Sequence, residues 1–281
     1  MARPARLSEL PGVTLVRELE GGHQSRVFEA VLGPAGRRVV LKVRDADEVD
    51  RAVVEARVGA VADLAAVEPM VCRPLPLDGA LVRDVAGDDG AARLATCVEH
   101  ADGRPPDVRR PADANAMGRA LARLHAAMAD LGPRAIPLVA ALDRVGSSFE
   151  GPVQLLHGDV SAGNVRLTTG GLRIFDLDDC GYGPPLFDVA NAIYMVLFDH
   201  VVSGGEGQTT AFEEPFMSGY AEGTGIPADR GTVDGYVDLR VAALEAWLDD
   251  LPSAPAGIRG ASPAWRQVLR RFAQGYPPRG R

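Results

Sequence analysis

The sequence predicts an α+β protein in which a small antiparallel sheet comes first and a mostly helical part follows. Before residue 87, apolar and polar residues alternate in short runs separated by Gly and Pro turns, which is typical of strands. After residue 111, apolar residues recur at three- and four-residue intervals, which is typical of amphipathic helices. With 281 residues, 46% of them hydrophobic, the chain is long enough for one large domain or two lobes.

Five strands and one helix are predicted in the first part. A segment containing Gly21, Gly22 and Ser25 joins the first two strands, and such a loop can place backbone N–H groups against phosphate oxygens. A purely structural turn explains the same glycines equally well. The helix begins at Asp45 and continues to about Ala66. The predicted strands are 13–18, 26–32, 38–43, 71–73 and 80–85.

A β-hairpin is predicted among the helices of the second part. Two alternating runs, 164–167 and 172–177, are joined by the turn sequence Thr169-Gly170-Gly171. The helices around this hairpin are predicted at 111–131, 186–202, 212–221, 228–251 and 263–274.

The strongest functional signal surrounds this hairpin. Asp159 precedes it in the sequence His157-Gly158-Asp159, Asn164 begins its first strand, and Asp176 lies at the end of its second strand. Phosphoryl transfer needs a carboxylate that accepts the proton of an attacking hydroxyl, together with oxygen ligands for Mg²⁺ on the nucleotide phosphates. The order Asp-x4-Asn followed by Asp matches the kinase catalytic loop and its metal-binding aspartate.

One lysine adds to this signal. Lys42 is the only lysine among the 30 basic residues, which indicates a site that needs a compact ammonium group. It lies near the end of the third strand, and Glu55 follows in the predicted helix. In kinases a strand lysine contacts the nucleotide phosphates and a helix glutamate orients it. We therefore expect Lys42 and Glu55 to form this pair, the alternative being two solvated surface residues.

The segment 157–190 resembles the aminoglycoside phosphotransferase and choline kinase-like family. The resemblance is carried by HGD-x4-N and, after it, I-x-D-x-D-D-x-G-Y-G-x-P-x-x-D-V-A. It implies a protein-kinase-like fold of two lobes, with 1–87 as the nucleotide-binding lobe and 88–281 as the catalytic and substrate-binding lobe. It also implies that Asp159 is the catalytic base, that Asn164 and Asp176 hold Mg²⁺, and that ATP or GTP is the phosphate donor.

The resemblance extends to supporting residues. The connection between the lobes of this fold binds adenine through its backbone, and we expect this connection near Arg83 and Val85. His125 and His157 are expected to be structural, with His157 bracing the catalytic loop. Asp188 is expected to support the same loop.

The second half of the chain is strongly acidic. From Asp176 to Asp250 there are 15 Asp and Glu residues against Arg230 and Arg240, a local net charge of −13, whereas the rest of the chain carries +5. Such a surface disfavours nucleic acid and attracts a polycationic small molecule. The acids that could face such a substrate are Asp178, Asp179, Glu213, Glu214, Glu245, Asp249 and Asp250.

Composition favours a cytoplasmic protein that does not bind a membrane. The three cysteines, Cys72, Cys97 and Cys180, lie far apart, without the spacing of a zinc site or a disulfide framework. No apolar run approaches the roughly 18 residues of a membrane helix, and the N-terminus lacks the apolar stretch of a signal peptide. The sequence leaves a monomer and a homodimer open.

The expected function is therefore O-phosphorylation of a small cationic molecule that carries a hydroxyl. An amine-rich antibiotic is favoured as the acceptor, either an aminoglycoside or a basic cyclic peptide of the capreomycin and viomycin type, and its modification would confer resistance. Three alternatives stay open: a metabolic kinase of choline, homoserine or a sugar, a non-catalytic nucleotide-binding pseudokinase, and a regulatory protein that binds a partner.

Overall fold

The computed structural model describes residues 6–19, 25–87, 89–146, 151–203, 209–276 and 278–279. The first part of the chain forms an antiparallel sheet of six strands, in the order β1-β2-β3-β6-β4, with β5 paired to β6. The strands are β1 (Val13–Leu19), β2 (Arg26–Leu32), β3 (Arg37–Asp45), β4 (Pro74–Leu75), β5 (Val82–Ala86) and β6 (Ala92–Glu99).

Strand β6 is the part of the sheet that the sequence prediction missed. It pairs with β3 in a register that sets Lys42 opposite Thr96 and Leu41 opposite Cys97. The sheet therefore continues past the predicted lobe boundary at residue 87, and the chain leaves it only after Glu99. This strand was not predicted because the sequence before it, Gly87-Asp88-Asp89-Gly90, is acidic and is typical of the start of a linker.

Helix α1 (Arg51–Val67) packs beside the sheet. It begins later than predicted because Asp50 is its N-cap, whose side chain accepts a hydrogen bond from the backbone N–H of Ala52 at 2.8 Å. The buried residues of α1 include Val54 and Leu64.

The second part is mostly helical, as predicted. Its helices are α2 (Pro111–Ala129), α3 (Ala140–Val145), α4 (Leu186–Val202), α5 (Thr210–Thr224), α6 (Arg230–Asp249), α7 (Ala256–Arg259) and α8 (Pro263–Gly275). Helices α2 and α5 approach closely because α5 carries Gly219 at their contact, where a Cβ atom would lie 2.1 Å from the carbonyl oxygen of Asn115. A large hydrophobic core joins these helices, with Phe216, Ile193 and Leu124 fully buried.

The predicted hairpin is confirmed as β8 (Val165–Thr168) and β9 (Gly171–Ile174), with Val165 opposite Ile174. Two further short strands, β7 (Gln154–Leu156) and β10 (Gly181–Gly183), pair with each other on either side of the hairpin in sequence. The backbone of Ile174 also bonds to Met70 and Cys72, which ties the hairpin to the segment after α1.

Among the residues that the structure describes, no helix combines the length and apolar character needed to cross a membrane.

Candidate active site

The loop between β7 and the hairpin is held by one buried carboxylate. Asp188 lies in the first turn of α4 and is 0% exposed. It accepts hydrogen bonds from the backbone N–H groups of His157 at 2.8 Å and Gly158 at 2.9 Å. Nε2 of His125 lies 3.1 Å from the same carboxylate, and Nδ1 of His125 lies 2.9 Å from the hydroxyl of Tyr220. The predicted supporting role of Asp188 is confirmed by these contacts.

His157 is structural too, as expected. It is buried, and its Nε2 lies 3.1 Å from the carbonyl oxygen of Phe175, which joins the loop to the residue before Asp176. Gly158 beside it has φ +84°, and a Cβ atom there would lie 2.3 Å from the carbonyl oxygen of Asp179. The sequence His157-Gly158-Asp159 therefore needs glycine in the middle for both conformation and space.

Asp159 and Asn164 are in direct contact. The side-chain amide of Asn164 donates to Oδ2 of Asp159 at 3.1 Å and to its carbonyl oxygen at 2.9 Å. Because the amide nitrogen is used in this way, the Oδ1 atom of Asn164 is left as an oxygen ligand for a cation.

Asp176 lies at the end of the hairpin in the left-handed region, with φ 65°, and a turn of 3-10 helix follows it. This conformation turns the chain so that two carboxylates, those of Asp176 and Asp178, reach Lys42. The ammonium group of Lys42 donates to Asp176 at 2.5 Å and to Asp178 at 2.7 Å. A second cation from β3, Arg44, also contacts Asp178. The predicted role of Asp178 in substrate binding is therefore wrong, because its carboxylate is used by two basic side chains.

These ion pairs set the charge states. Burial opposes the ammonium form of Lys42, but Asp178 and Asp176 outweigh it and raise the lysine pKa above its ordinary value. Burial likewise opposes the ionised form of Asp178, but Lys42 and Arg44 keep its pKa below the ordinary value. For Asp176, burial prevails over Lys42 and raises the pKa. The positive charge of a cation bound to Asp176 would offset the effect of burial and lower this pKa.

The predicted pair between Lys42 and Glu55 is wrong. The Glu55 side chain is 51% exposed and bonds to Arg51 one turn earlier in α1, at 2.6 Å. The same helix instead directs Arg57 toward the site, where it donates to the carbonyl oxygen of Asp178 at 2.8 Å.

A cavity of about 680 Å³ opens between the sheet and the hairpin, and Lys42, Asn164 and Asp176 line it. Leu19 and Val27, which flank the predicted glycine loop, also line this cavity. Another part of its lining is the chain segment at the end of β6, consisting of Glu99, His100, Ala101, Asp102 and Gly103.

The predicted nucleotide contacts at Arg83 and Val85 stay a prediction that this cavity does not support, because neither residue is among those that line it. Both residues lie on β5, where Val85 is buried in the core of the sheet and Arg83 pairs with Asp78 at 2.9 Å. The chain segment that lines the cavity, Glu99–Gly103, follows β6, one strand after the place where the connection between the lobes was predicted. Gly21 and Gly22 lie outside the described residues, and Ser25 directly precedes β2.

A second cavity, of about 270 Å³, is lined by Asp159 and does not include Asn164 among its lining residues. Asp159 and Asp179 supply its acids, and Arg240 supplies a guanidinium group. The pKa of Asp179 is raised by burial and by the nearby charge of Asp159. The aromatic side chains that line this cavity are Tyr194, Phe198, Trp247 and Trp265.

The sequence prediction missed Arg240 and the aromatic residues of this cavity. Arg240 is fixed by a hydrogen bond of 2.8 Å to Asn191 and by the ring of Tyr194, whose centroid lies 5.0 Å away. One signal was available, because Trp247 and Trp265 are the only two tryptophans of the chain and both line this cavity.

Of the seven predicted substrate acids, only Asp179 lines the cavity beside Asp159. Glu213 is 1% exposed and is held by Arg230 and Arg279, so its predicted contact with substrate is wrong. Asp249 pairs with Arg270 at 2.8 Å, and Asp250 lies 3.3 Å from Arg144. Glu214 and Glu245 are exposed side chains on α5 and α6. Arginines from distant segments therefore neutralise much of the charge that the sequence concentrates here.

A family model described as the phosphotransferase enzyme family matches residues 15–147 and 134–236. The chain belongs to this family. The two matched ranges include Lys42, Asp159, Asn164 and Asp176 but end before the tryptophans of the smaller cavity. Among curated proteins, no sequence match was found.

Solved structures share the protein-kinase-like fold at low sequence identity. The amicoumacin kinase hAmiN, in complex with AMP-PNP, Ca²⁺ and Ami, has a TM-score of 0.69 and 19% identity over 96% of this chain and 89% of its own. A microcompartment-associated aminopropanol kinase has a TM-score of 0.68 and 19% identity, over 94% and 90% of the two chains. An ethanolamine kinase of Plasmodium vivax has a TM-score of 0.63 and 9% identity, over 96% and 83%.

Proposed function

We propose that this protein transfers the γ-phosphoryl group of ATP to a hydroxyl of a small molecule that carries an amine. One observation supports this most directly. Asn164 lines the larger cavity and Asp159 lines the smaller one, and the two side chains are hydrogen-bonded at 3.1 Å. A nucleotide in the first cavity and an acceptor in the second would meet at this contact, as in-line phosphoryl transfer requires.

The residues of the larger cavity suit a nucleotide with a divalent cation. Asn164 Oδ1 and Asp176 are hard oxygen ligands, and Mg²⁺ on nucleotide phosphates commonly uses only one or two protein ligands of this kind. Among the described residues, no group of three or more His, Cys, Asp or Glu could hold a metal by itself. Within this proposal, nucleotide phosphates and water supply the remaining ligands. When bound, Mg²⁺ supplies charge neutralisation for the transferred group.

Within this proposal each side chain has a defined task. Asp159 accepts the proton of the acceptor hydroxyl, and Asn164 holds that carboxylate in place. Lys42 contacts the nucleotide phosphates as a compact cation. The backbone groups of the segment Glu99–Gly103 bind the adenine ring of ATP. If GTP is the donor, its guanine ring uses the same backbone groups.

The smaller cavity favours an acceptor that combines an amine with oxygen atoms. An amine between Asp159 and Asp179 would offset the repulsion between these carboxylates. Aromatic faces such as those of Phe198 and Trp265 add cation–π attraction. Arg240 supplies donors for a carbonyl or hydroxyl oxygen, which basic peptides and amino sugars both carry.

The space around this cavity favours a larger acceptor. An outer cavity of about 520 Å³ shares Ala140, Trp247 and Pro255 with the inner one. A molecule larger than an amino alcohol can extend from Asp159 into this outer space. We therefore favour an amine-bearing antibiotic, either an aminoglycoside or a basic cyclic peptide of the capreomycin and viomycin type, with antibiotic resistance as the biological consequence.

A second candidate is a metabolic kinase of a small amino alcohol such as choline. The observation that favours it is the small number of acids in the smaller cavity, where Asp159 and Asp179 are the acids among the described lining residues. A cavity of about 270 Å³ is sufficient for such an acceptor.

The two candidates are separated by a graded acceptor panel in a coupled ATP assay. The panel contains choline and homoserine, then aminoglycosides, then basic cyclic peptides, each at about 0.05 and 0.5 M salt. A polycationic acceptor should show a KM that rises steeply with salt, because the Debye length shrinks several-fold over this range. An amino alcohol as best substrate, with a KM indifferent to salt, would instead identify a metabolic kinase.

Asp159→Asn tests the catalytic assignment in the same assay. Turnover should fall by roughly two to four decades, the usual contribution of general acid–base catalysis, while Mg–ATP affinity stays within about twofold. The matched control is Asp199→Asn, an exposed aspartate on α4. Turnover of Asp159→Asn equal to that of the parent would remove Asp159 from the mechanism. A parent that binds Mg–ATP without turning it over would identify a pseudokinase, and a parent without Mg²⁺-dependent ATP affinity would identify a regulatory protein that binds a partner.

A further inference from the structure

Three cationic side chains converge on Asp178. Lys42 and Arg44 lie two residues apart on β3, so their side chains are on the same face of the strand. Both contact the carboxylate of Asp178, Lys42 at 2.7 Å. Arg57 from α1 donates to the carbonyl oxygen of the same residue at 2.8 Å. The position of Asp178 is therefore set by the sheet and by the helix together.

Asp176 and Asp178 differ in the cavities that they line beside Lys42. Asp176 lines the large cavity that contains Asn164, whereas Asp178 does not. Asp178 lines a rear cavity of about 310 Å³, between β3 and α1, together with Arg44 and Arg57, and Asp176 lines this cavity as well. When Asp176 binds a cation on the nucleotide phosphates, its carboxylate is occupied by that cation. Asp178, which does not line the large cavity, then remains as the acid that is hydrogen-bonded to Lys42.

We propose that Asp178 is the positioning residue for Lys42, the task that the sequence assigns to the helix glutamate. The proposal rests on the proposed function, because it assumes that Lys42 contacts nucleotide phosphates. Glu55 cannot perform this task in the observed arrangement, because its side chain is exposed and bonded to Arg51. Arg44 and Arg57 anchor Asp178, so the pair is supported by residues on both β3 and α1.

The lone lysine gives a direct spectroscopic test. Labelling with ¹³Cε-lysine yields a single side-chain NMR signal, since Lys42 is the only lysine of the chain. In the nucleotide-free protein, Asp178→Asn should shift this signal, and Glu55→Gln should leave it in place. The Arg44→Gln variant should also shift the Lys42 signal. This variant provides a second test if Asp178→Asn does not fold. A signal that moves with Glu55→Gln but not with Asp178→Asn or Arg44→Gln overturns the proposal.

Calorimetry with Mg–AMP-PNP then tests the functional consequence. Asp178→Asn should weaken nucleotide affinity about tenfold or more in the parent. In the Lys42→Met background the same substitution should change affinity less than about threefold, because a residue that acts through Lys42 has nothing left to position. Equal losses in both backgrounds would indicate a merely structural role and overturn the proposal.

A Mg²⁺ titration separates positioning from metal binding. Asp178→Asn should leave the Mg²⁺ dependence of nucleotide binding unchanged, whereas Asp176→Asn should raise the Mg²⁺ concentration required. A raised Mg²⁺ requirement in Asp178→Asn would make Asp178 a metal ligand and refute the positioning role. Failure of the parent itself to bind Mg–AMP-PNP would refute the proposed function, while the NMR result would still decide which acid holds Lys42.

Discussion

Asp188→Asn is the substitution whose cost the structure defines best. The carboxylate is fully buried and accepts two backbone N–H groups, from His157 and Gly158. Hydrogen bonds to a charged acceptor contribute about 1.5 to 3 kcal/mol each, and an unsatisfied buried donor costs a comparable amount. Asparagine is isosteric but keeps only one oxygen, so one of the two N–H groups loses its acceptor.

We therefore expect Asp188→Asn to lower the free energy of unfolding by about 2 to 4 kcal/mol. Urea denaturation followed by circular dichroism measures this as a lower midpoint at unchanged slope. The value of kcat should fall as well, because Asp159 directly follows the two N–H groups that Asp188 holds.

Asp199→Asn is the matched control, since Asp199 is an exposed aspartate on the same helix. Its free energy of unfolding should stay within about 0.5 kcal/mol of the parent. If Asp188→Asn is as stable and as active as this control, the loop does not depend on Asp188 and the reasoning from its hydrogen bonds is refuted.

Three further predictions concern other parts of the chain. Gly158→Ala should lower kcat about 100-fold with nucleotide affinity nearly unchanged, since its Cβ would displace the loop at Asp179; steady-state kinetics and calorimetry check this. Glu213→Gln should destabilise the fold by about 3 kcal/mol in urea without changing the acceptor KM, whereas exposed Glu214→Gln should change neither. Asp113 has its pKa lowered to about 2 by the hydrogen bond from Arg104, so its contribution to stability is complete above pH 4 and is lost as the pH falls toward 2. The stability difference between the parent and Asp113→Asn should therefore shrink over that range, and a difference independent of pH would contradict the assignment.

Elements that depend on local interactions could be predicted from the sequence. The hairpin at 165–174 and the helices follow from side-chain periodicity and turn residues, which act over a few positions. The segment proposed to be catalytic is local in the same sense. His157, Asp159, Asn164 and Asp176 lie within 20 residues of each other, so one hairpin brings them together.

Contacts between side chains that are distant in the sequence could not be predicted in this way, because they depend on how the elements pack. Lys42 lies 134 residues before Asp176 and 136 before Asp178, and spacing within α1 favoured Glu55 instead. Strand β3 packs against the segment after the hairpin and buries the ammonium group of Lys42 beside Asp176 and Asp178. Lys42 pairs with these aspartates because their carboxylates compensate the free-energy cost of its desolvation.

The same reason explains the acidic half of the chain. The net charge of a sequence segment does not show which of its acids pair with bases from other segments. In the folded chain Arg279 contacts Glu213, although the two residues are 66 positions apart. Paired acids contribute little field at the cleft. The smaller cavity likewise depends on Trp247 and Trp265 from two helices, and no local pattern indicates that these two side chains face the same space as Asp159. The lining of this cavity is therefore decided by helix packing, whereas the proposed catalytic residue Asp159 is indicated by one short segment of the sequence.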